Sequence, residues 1–359
     1  MQQTYPHLFS PLKLGTIELP NRIIMAPLTR ARSGEDHIPT DLMAEHYAQR
    51  ASGGLIIAEA TMAMEGCSAF WKEPGIYSEA QIAGWKKVTD AVHAKGGRIV
   101  LQIWHGGRAC HPALNNGKQP VAPSAIAIKD EVHTPQGKQP YTVPHALTLA
   151  EIPGIIEGFK QAAINAKAAG FDGVEVHGAN GYLLDQFLRE SSNQRTDTYG
   201  GSIENRARLL LEVLTAVCEV WGSDRVGLRI SPVNSFNSMK DGDPLALSRW
   251  LSEKLNDYNL AYLHVMRSDF FGEQKEDVLS VCEEFYQGNL IANMGYSAEE
   301  AEAAIANGDV EAVAFGVSYL ANPDLPERFK AGAALNDPDP DTFYTEGPQG
   351  YTDYPFMEK

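Results

Sequence analysis

Residues 174–206, VEVHGANGYLLDQFLRESSNQRTDTYGGSIENR, place three hydrogen-bonding side chains within six positions: His177, Asn180 and Tyr182. They follow Val174 and Val176, whose alternation reads as the end of a buried strand, and they sit in a glycine-rich turn. An imidazole, an amide and a phenol at the mouth of a strand form a candidate catalytic constellation. The plainer alternative is a strand that ends in a polar turn. Which reading holds depends on the elements that carry the three residues.

Those elements alternate. Short apolar stretches suited to strands fall at 23–26, 54–59, 99–104, 173–177, 226–231, 260–265, 289–293 and 312–315. Amphipathic stretches suited to helices fall near 40–52, 79–95, 149–169, 202–221, 244–257, 275–287, 297–307 and 322–331. Ser297 with Glu300, and Thr148 with Glu151, have capping-box spacing, and Pro323 falls early in the last helix, where a missing N–H costs nothing. Eight strand–helix pairs predict an α/β fold, a single (β/α)8 barrel in one domain spanning residues 1–359. Three segments exceed that outlay. Residues 1–20 suit a cap on the barrel's bottom, 105–147 an insertion after the third strand acting as a lid or hairpin, and 333–359 an extended tail that folds back. The competing open doubly wound sheet would carry G-x-G-x-x-G after a strand, and no such motif, nor a G-x-x-x-x-G-K-[ST] loop, is found.

In such barrels chemistry sits at the carboxyl ends of the strands. Those positions hold Pro27, Leu28 and Thr29 after the first strand and Ala60 after the second. Gln102, Trp104 and His105 end the third, and Arg229 lies in the fifth. Asn293 and Gly295 end the seventh, and Gly316 the eighth. Small residues at several of these sites leave room for something flat and large, with Gln102 and Arg229 donating at its polar edge. A buried Arg229 needs a counter-charge, either a core carboxylate or a ligand that becomes anionic. Gly295 and Gly316 each precede a helix, as in barrel phosphate sites, although a lone turn glycine would serve as well.

The stretches NRIIMAPLTRAR, IIAEAT, LQIWHGGR, VEVHGANGYLLDQFL, SSNQRTDTYGGSIENRARLLLEV, GLRISP, AFG with ANPDL, and GYTDYP resemble the Old Yellow Enzyme family of flavin-dependent ene-reductases, in order and over essentially the whole chain. The resemblance implies non-covalent FMN across the barrel mouth and NADPH, or NADH, as reductant. Pro27, Leu28, Thr29 and Ala60 would then lie near the flavin, Thr29 bonding its O4, with Gln102 and Arg229 on its pyrimidine edge. His177 and Asn180 match the pair that binds a substrate carbonyl, and Tyr182 the proton donor. The implied reaction is ping-pong: hydride passes from NAD(P)H to FMN, then to the β-carbon of an α,β-unsaturated carbonyl, nitro or maleimide-type compound. Phe70 stands at what resembles a tyrosine site facing the ligand. Trp104 and Tyr344 would be further walls, or simply core aromatics. The family commonly places arginine after the A-F-G stretch, on the FMN phosphate; here that position is Val317, so one phosphate cation is missing and FMN is expected to leave more readily.

Composition narrows the partners. Thirty Lys and Arg against 46 Asp and Glu give a net charge of −16 with no basic run, which disfavours nucleic acid and anionic membranes. Four scattered cysteines contain no C-x-x-C pair, so no zinc knuckle or iron–sulfur cluster is expected. Free thiols, no secretory leader and no run of 18 apolar residues suit a cytoplasmic monomer or small homo-oligomer acting on a small molecule. Two rivals remain in view. A barrel hydrolase would need clustered metal ligands beginning with an H-x-H pair, and the first strand ends in MAPLT; no metal is expected. A flavin-binding sensor or storage protein would not need the His177–Asn180–Tyr182 set.

Overall fold

A computed structural model describes residues 4–34 and 36–358. Its centre is a closed barrel of eight parallel strands: β1 (Ile23–Met25), β2 (Leu55–Met62), β3 (Ile99–Trp104), β4 (Gly173–Gly178), β5 (Val226–Ile230), β6 (Tyr262–Met266), β7 (Leu290–Asn293) and β8 (Ala312–Phe315). Each strand pairs with its sequence neighbours, and β8 closes on β1. Eight main helices follow in turn: α1 (Asp41–Gln49), α2 (Glu79–Ala94), α3 (Ile152–Ala168), α4 (Ile203–Trp221), α5 (Pro244–Leu255), α6 (Val278–Phe285), α7 (Ala298–Asn307) and α8 (Leu325–Ala331). Two short helices, Leu183–Leu188 and Val317–Ala321, lie just after β4 and β8 and were not anticipated. The strands are buried on both faces, which is why they read as apolar runs.

The N-terminal segment caps the bottom as expected. A hairpin of Leu12–Leu14 and Ile17–Leu19 packs Leu14, Ile17 and Leu19 against the inward-facing Ile24, Leu55, Ile57, Val100 and Ile291. The insertion contains a hairpin, Glu131–Thr134 with Gly137–Pro140, and a short parallel pair, Val121–Ala122 with His145–Ala146. Its Ile128 and Tyr141 pack in one cluster with Trp104 and Tyr182, at the top of the barrel. The tail folds back onto the loop after β1. Arg30 donates to the carbonyls of Phe343 and Gly350, and Arg32 to those of Thr342, Phe343, Gly347 and Gln349. Arg50 and His46 both reach the carbonyl of Tyr351.

Four local expectations change. Ala60 lies inside β2 rather than after it, because the strand runs on to Met62 through a register shift between Ala58 and Thr61. The extra residue of such a bulge bends the strand and re-aims a side chain at the rim. Thr148 does not cap α3: Glu151 bonds back to its N–H and hydroxyl at 2.7 Å, closing a turn ahead of a helix that starts at Ile152. Ser297 does cap α7, but Glu300 spends its carboxylate on Arg267 at 2.6 Å, so the box is half made. The reciprocal box is at Ser78 and Gln81 of α2. Pro323 precedes α8, and the proline in that helix's first turn is Pro326.

Candidate functional site

The stretch after β4 folds into a tight turn because two consecutive residues adopt left-handed backbone, Asn180 at φ 57° and Gly181 at φ 72°. A side chain on Gly181 would meet Asn237 at 2.6 Å, so only glycine fits. Asp185 accepts from the Gly181 N–H at 2.8 Å and Gln186 donates to its carbonyl at 2.7 Å, tying the turn to the short helix that follows. His177, still in β4, and Asn180 and Tyr182, in the turn, thereby face one cavity.

That cavity, of about 360 Å³, lies at the carboxyl ends of the strands. The structure brings to it Pro27, Leu28 and Thr29 from the end of β1, Ala60 from the β2 bulge, and Gln102 and Trp104 from β3. It adds His177, Asn180 and Tyr182 from β4 and its turn, Arg229 from β5, Phe70 from the loop after β2, and Tyr344 from the tail. Three phenylalanines complete the wall and were missed: Phe236 after β5, and Phe270 and Phe271 after β6. The same carboxyl-end rule would have found them, had the loops been followed beyond the last strand residue. A larger open groove of about 690 Å³ near His37, Trp71 and Lys118 contains none of the expected site residues.

Asn293, Gly295, Gly316 and Val317 do not line the cavity. Asn293 is committed: its Nδ2 donates to the Ala314 carbonyl, which aims Oδ1 at Arg229 Nη2, 2.7 Å away. It therefore orients Arg229. Gly295 has a left-handed backbone at φ 69°, and Val317 is exposed at the start of a five-residue helix. Arg267 reaches the same loop, donating to the Met294 carbonyl at 2.9 Å, but is paired with Glu300.

The electrostatics come from a buried cluster below the cavity. Glu175 accepts from His264 Nδ1 at 2.9 Å and from Gln102 Nε2 at 2.7 Å. A carboxylate only accepts, so Gln102 turns its N–H inward and keeps its carbonyl oxygen, with one remaining N–H, for the cavity. The polar edge expected to be all donors thus carries an acceptor as well. Arg229 makes no ion pair within 4 Å among the described residues; burial lowers its pKa while nearby Glu175 raises it. Burial, then the positive Arg229, holds His177 well below the usual imidazole range. His177 is therefore neutral at physiological pH. Burial pushes the Tyr182 phenol well above its usual value, helped by Tyr141 and Tyr344 and opposed by a hydrogen bond from Asn237. Trp104 meets Tyr182 edge-on at 4.2 Å, and Phe70 stacks between Trp104 and Tyr344.

Three buried nitrogens on residues that line the cavity have no protein partner: Arg229 Nε, His177 Nδ1 and Trp104 Nε1. A buried polar atom left without a partner costs roughly 1–3 kcal/mol. A flat, acceptor-rich molecule of the isoalloxazine kind suits this lining, which combines a cation, an amide and small residues. Of the remaining histidines, His105 and His111 accept from backbone N–H groups two residues on, and His264 serves Glu175. No group of three or more His, Cys, Asp or Glu among the described residues stands close enough to hold a metal ion. Among the same residues, no helix is long and apolar enough to cross a membrane.

Comparison with known proteins agrees with this wall. A family model described as the NADH:flavin oxidoreductase / NADH oxidase family matches residues 7–336. A probable flavin mononucleotide-dependent alkene reductase of Leishmania infantum is 53% identical, over 98% of this chain and 97% of its own. The old yellow enzyme of Trypanosoma cruzi superposes with a TM-score of 0.97 at 48% identity, covering 99% of this chain and 100% of the other. Morphinone reductase in complex with tetrahydroNAD superposes with a TM-score of 0.94 at 49% identity, covering 98% of each. With its eight-stranded barrel and this cavity, the chain belongs to the NADH:flavin oxidoreductase / NADH oxidase family, as an FMN-dependent reductase of the Old Yellow Enzyme type.

Proposed function

We propose that this cavity reduces the C=C bond of an α,β-unsaturated carbonyl, nitro or maleimide-type compound, with Tyr182 as proton donor. When bound, FMN would supply the hydride chemistry that links NAD(P)H to the β-carbon of the substrate. The observation that carries the reading is the convergence of His177, Asn180 and Tyr182 on one cavity that Thr29 and Arg229 also line. Neutral His177 and the Asn180 amide offer N–H donors to the substrate oxygen. They stabilise the charge that builds on it, as an oxyanion hole does. Tyr182, a phenol whose pKa burial raises further above about 10, keeps its proton at working pH and releases it to the α-carbon only when charge develops there. Thr29 would bond the flavin, Arg229 and Gln102 would hold its polar edge, and backbone N–H groups near Gly295 and Gly316 would take its phosphate. Phe70, Trp104, Tyr344 and the three newly found phenylalanines exclude water and favour flat apolar substrates. Reductant and substrate share one cavity, so the kinetics are ping-pong. We assign residues 4–358 to one domain with 105–147 as its lid, working in the cytoplasm as a monomer or small homo-oligomer, without nucleic acid or membrane partners.

Anaerobic titration of the yellow holoenzyme with NADPH, followed by rapid mixing with cyclohexenone, N-ethylmaleimide, a nitroester or a quinone, tests this. Bleaching by NADPH and recovery by the first two is expected. Bleaching with no recovery by any acceptor would leave only a flavin-binding role.

A further inference from the structure

The polar group that decides which end of Asn180 faces the cavity is not in the cavity at all. Asn180 Oδ1 accepts from Asn234 Nδ2 at 2.8 Å. Asn234 is wholly buried, in the loop after β5, and does not line the cavity. Its own Oδ1 accepts from two backbone N–H groups, Phe236 at 3.4 Å and Phe270 at 3.3 Å. Backbone N–H groups can only donate, so the Asn234 amide has one allowed orientation, with its oxygen on them and its NH₂ on Asn180. The Asn180 oxygen is thereby occupied, and its NH₂ is left to point at the cavity. Two further bonds hold the Asn180 backbone: its N–H donates to Ser231 Oγ at 2.7 Å, and its carbonyl accepts from Asn237 Nδ2 at 2.9 Å.

We propose that Asn234 is a positioning residue that sets the polarity of Asn180, converting an ambivalent amide into a fixed donor for the substrate oxygen. The proposal rests on the assignment of Asn180 as a substrate-oxygen donor. The relay also couples that donor to the aromatic wall, since the N–H groups that orient Asn234 belong to Phe236 and Phe270, which line the cavity.

The substitution Asn234→Asp separates polarity from packing. The carboxylate keeps the shape and still accepts from both backbone N–H groups, but it cannot donate to Asn180. The Asn180 amide must then turn its NH₂ towards residue 234 and present oxygen to the cavity, where it repels a carbonyl. Three N–H donors around the carboxylate favour its charged form. Asn234→Ala, by contrast, removes packing and leaves the Asn180 amide free to choose.

The experiment measures, on FMN-loaded protein, flavin reduction by NADPH and reoxidation by cyclohexenone for Asn234→Asp, Asn234→Ala, Asn180→Ala and the Asn180→Ala/Asn234→Asp double variant, together with melting temperature. We expect reoxidation to fall roughly 10²-fold in Asn180→Ala and as much or more in Asn234→Asp, with less loss in Asn234→Ala. Asn234→Asp adds nothing to the reoxidation loss on the Asn180→Ala background. A residue that merely packs would give the reverse order, with Asn234→Ala the worse variant, or an additive double variant; either result overturns the proposal. Asn180→Ala slow with Asn234→Asp normal overturns it while leaving the Asn180 assignment standing. Unchanged reoxidation in Asn180→Ala removes that assignment, and the proposal with it. If Asn234→Asp does not fold, the order of Asn234→Ala and Asn234→Gln decides: Gln keeps a donor within reach of Asn180 and is expected to recover part of the rate, and no recovery overturns the proposal.

Discussion

Tyr182 is a weak acid that burial weakens further. Its phenol lies against Trp104 and 5.5 Å from His177, and its pKa is pushed well above 10. A stronger acid in this place would lose its proton at working pH and have none to give. Tyr182→Phe should therefore leave flavin reduction by NAD(P)H within a few-fold of wild type. Reoxidation by an enone should slow by about 10²–10⁴-fold, the usual worth of a positioned general acid. Stopped-flow measurement of the two half-reactions checks this, and equal losses in both would remove Tyr182 from the role. Because His177 is held neutral and Tyr182 protonated, neither should produce an inflection in enone turnover between about pH 6.5 and 9.

The loops and termini, more than the strands, decide what this barrel holds. Loops after β5 and β6 bring Phe236 and Phe270 edge-to-face at 5.9 Å, and the tail brings Tyr344 onto Phe70 at 5.7 Å. Arg32 is the main clasp on that tail, with its guanidinium buried among backbone carbonyls and stacked on Tyr351 at 4.8 Å. Hydrogen bonds from a charged donor are worth roughly 1.5–3 kcal/mol each. Arg32→Met should cost at least ~2 kcal/mol of stability, expose residues 336–358 to limited proteolysis, and raise KM for enones as Tyr344 loosens. A tail as protease-resistant as wild type would show the clasp to be redundant. Just after β8, exposed Val317 stands where the family resemblance implies an arginine on the FMN phosphate. Charge-assisted contacts are the stronger kind, so Val317→Arg should slow FMN loss on dilution or dialysis. An unchanged dissociation rate would mean the backbone donors near Gly295 and Gly316 already suffice.

For the molecule as a whole, buried ionisable groups set how stability follows pH. Burial raises Glu59 to about 7 and Glu73 to about 8 from an ordinary value of 4.5. Between 4.5 and those values the folded protein holds protons that the unfolded chain releases, so stability falls as pH rises through that window. Burial acts in the opposite sense on His105, lowered to about 3 from 6.5. Its contribution is intact above 6.5 and is lost as pH falls below it. His46, His177 and His264 are lowered in the same sense, so the carboxylate effect stands alone only above about pH 7.5, and melting temperature should decline from there to about pH 8. Glu73→Gln should flatten the decline, as thermal denaturation of both proteins in matched buffers would show; an equal slope would assign it to the general acidity of the chain.

The order of eight strands and eight helices was legible in the sequence, because buried parallel strands must be apolar throughout and their helices must be amphipathic. So were His177, Asn180 and Tyr182, whose spacing after β4 depends on local backbone alone. Three-dimensional placement decided the rest. Ala60 enters the cavity through a bulge that no local pattern marks, and Tyr344 arrives there across more than 270 positions of chain because Arg30 and Arg32 hold the tail's carbonyls. Asn293 changed from a supposed ligand contact to the support of Arg229, since its hydrogen-bond partners come from β5 and β8. The orientation of Asn180 was the least legible of all. An amide has no preferred end in a sequence, and here Asn234, 54 residues away, supplies one.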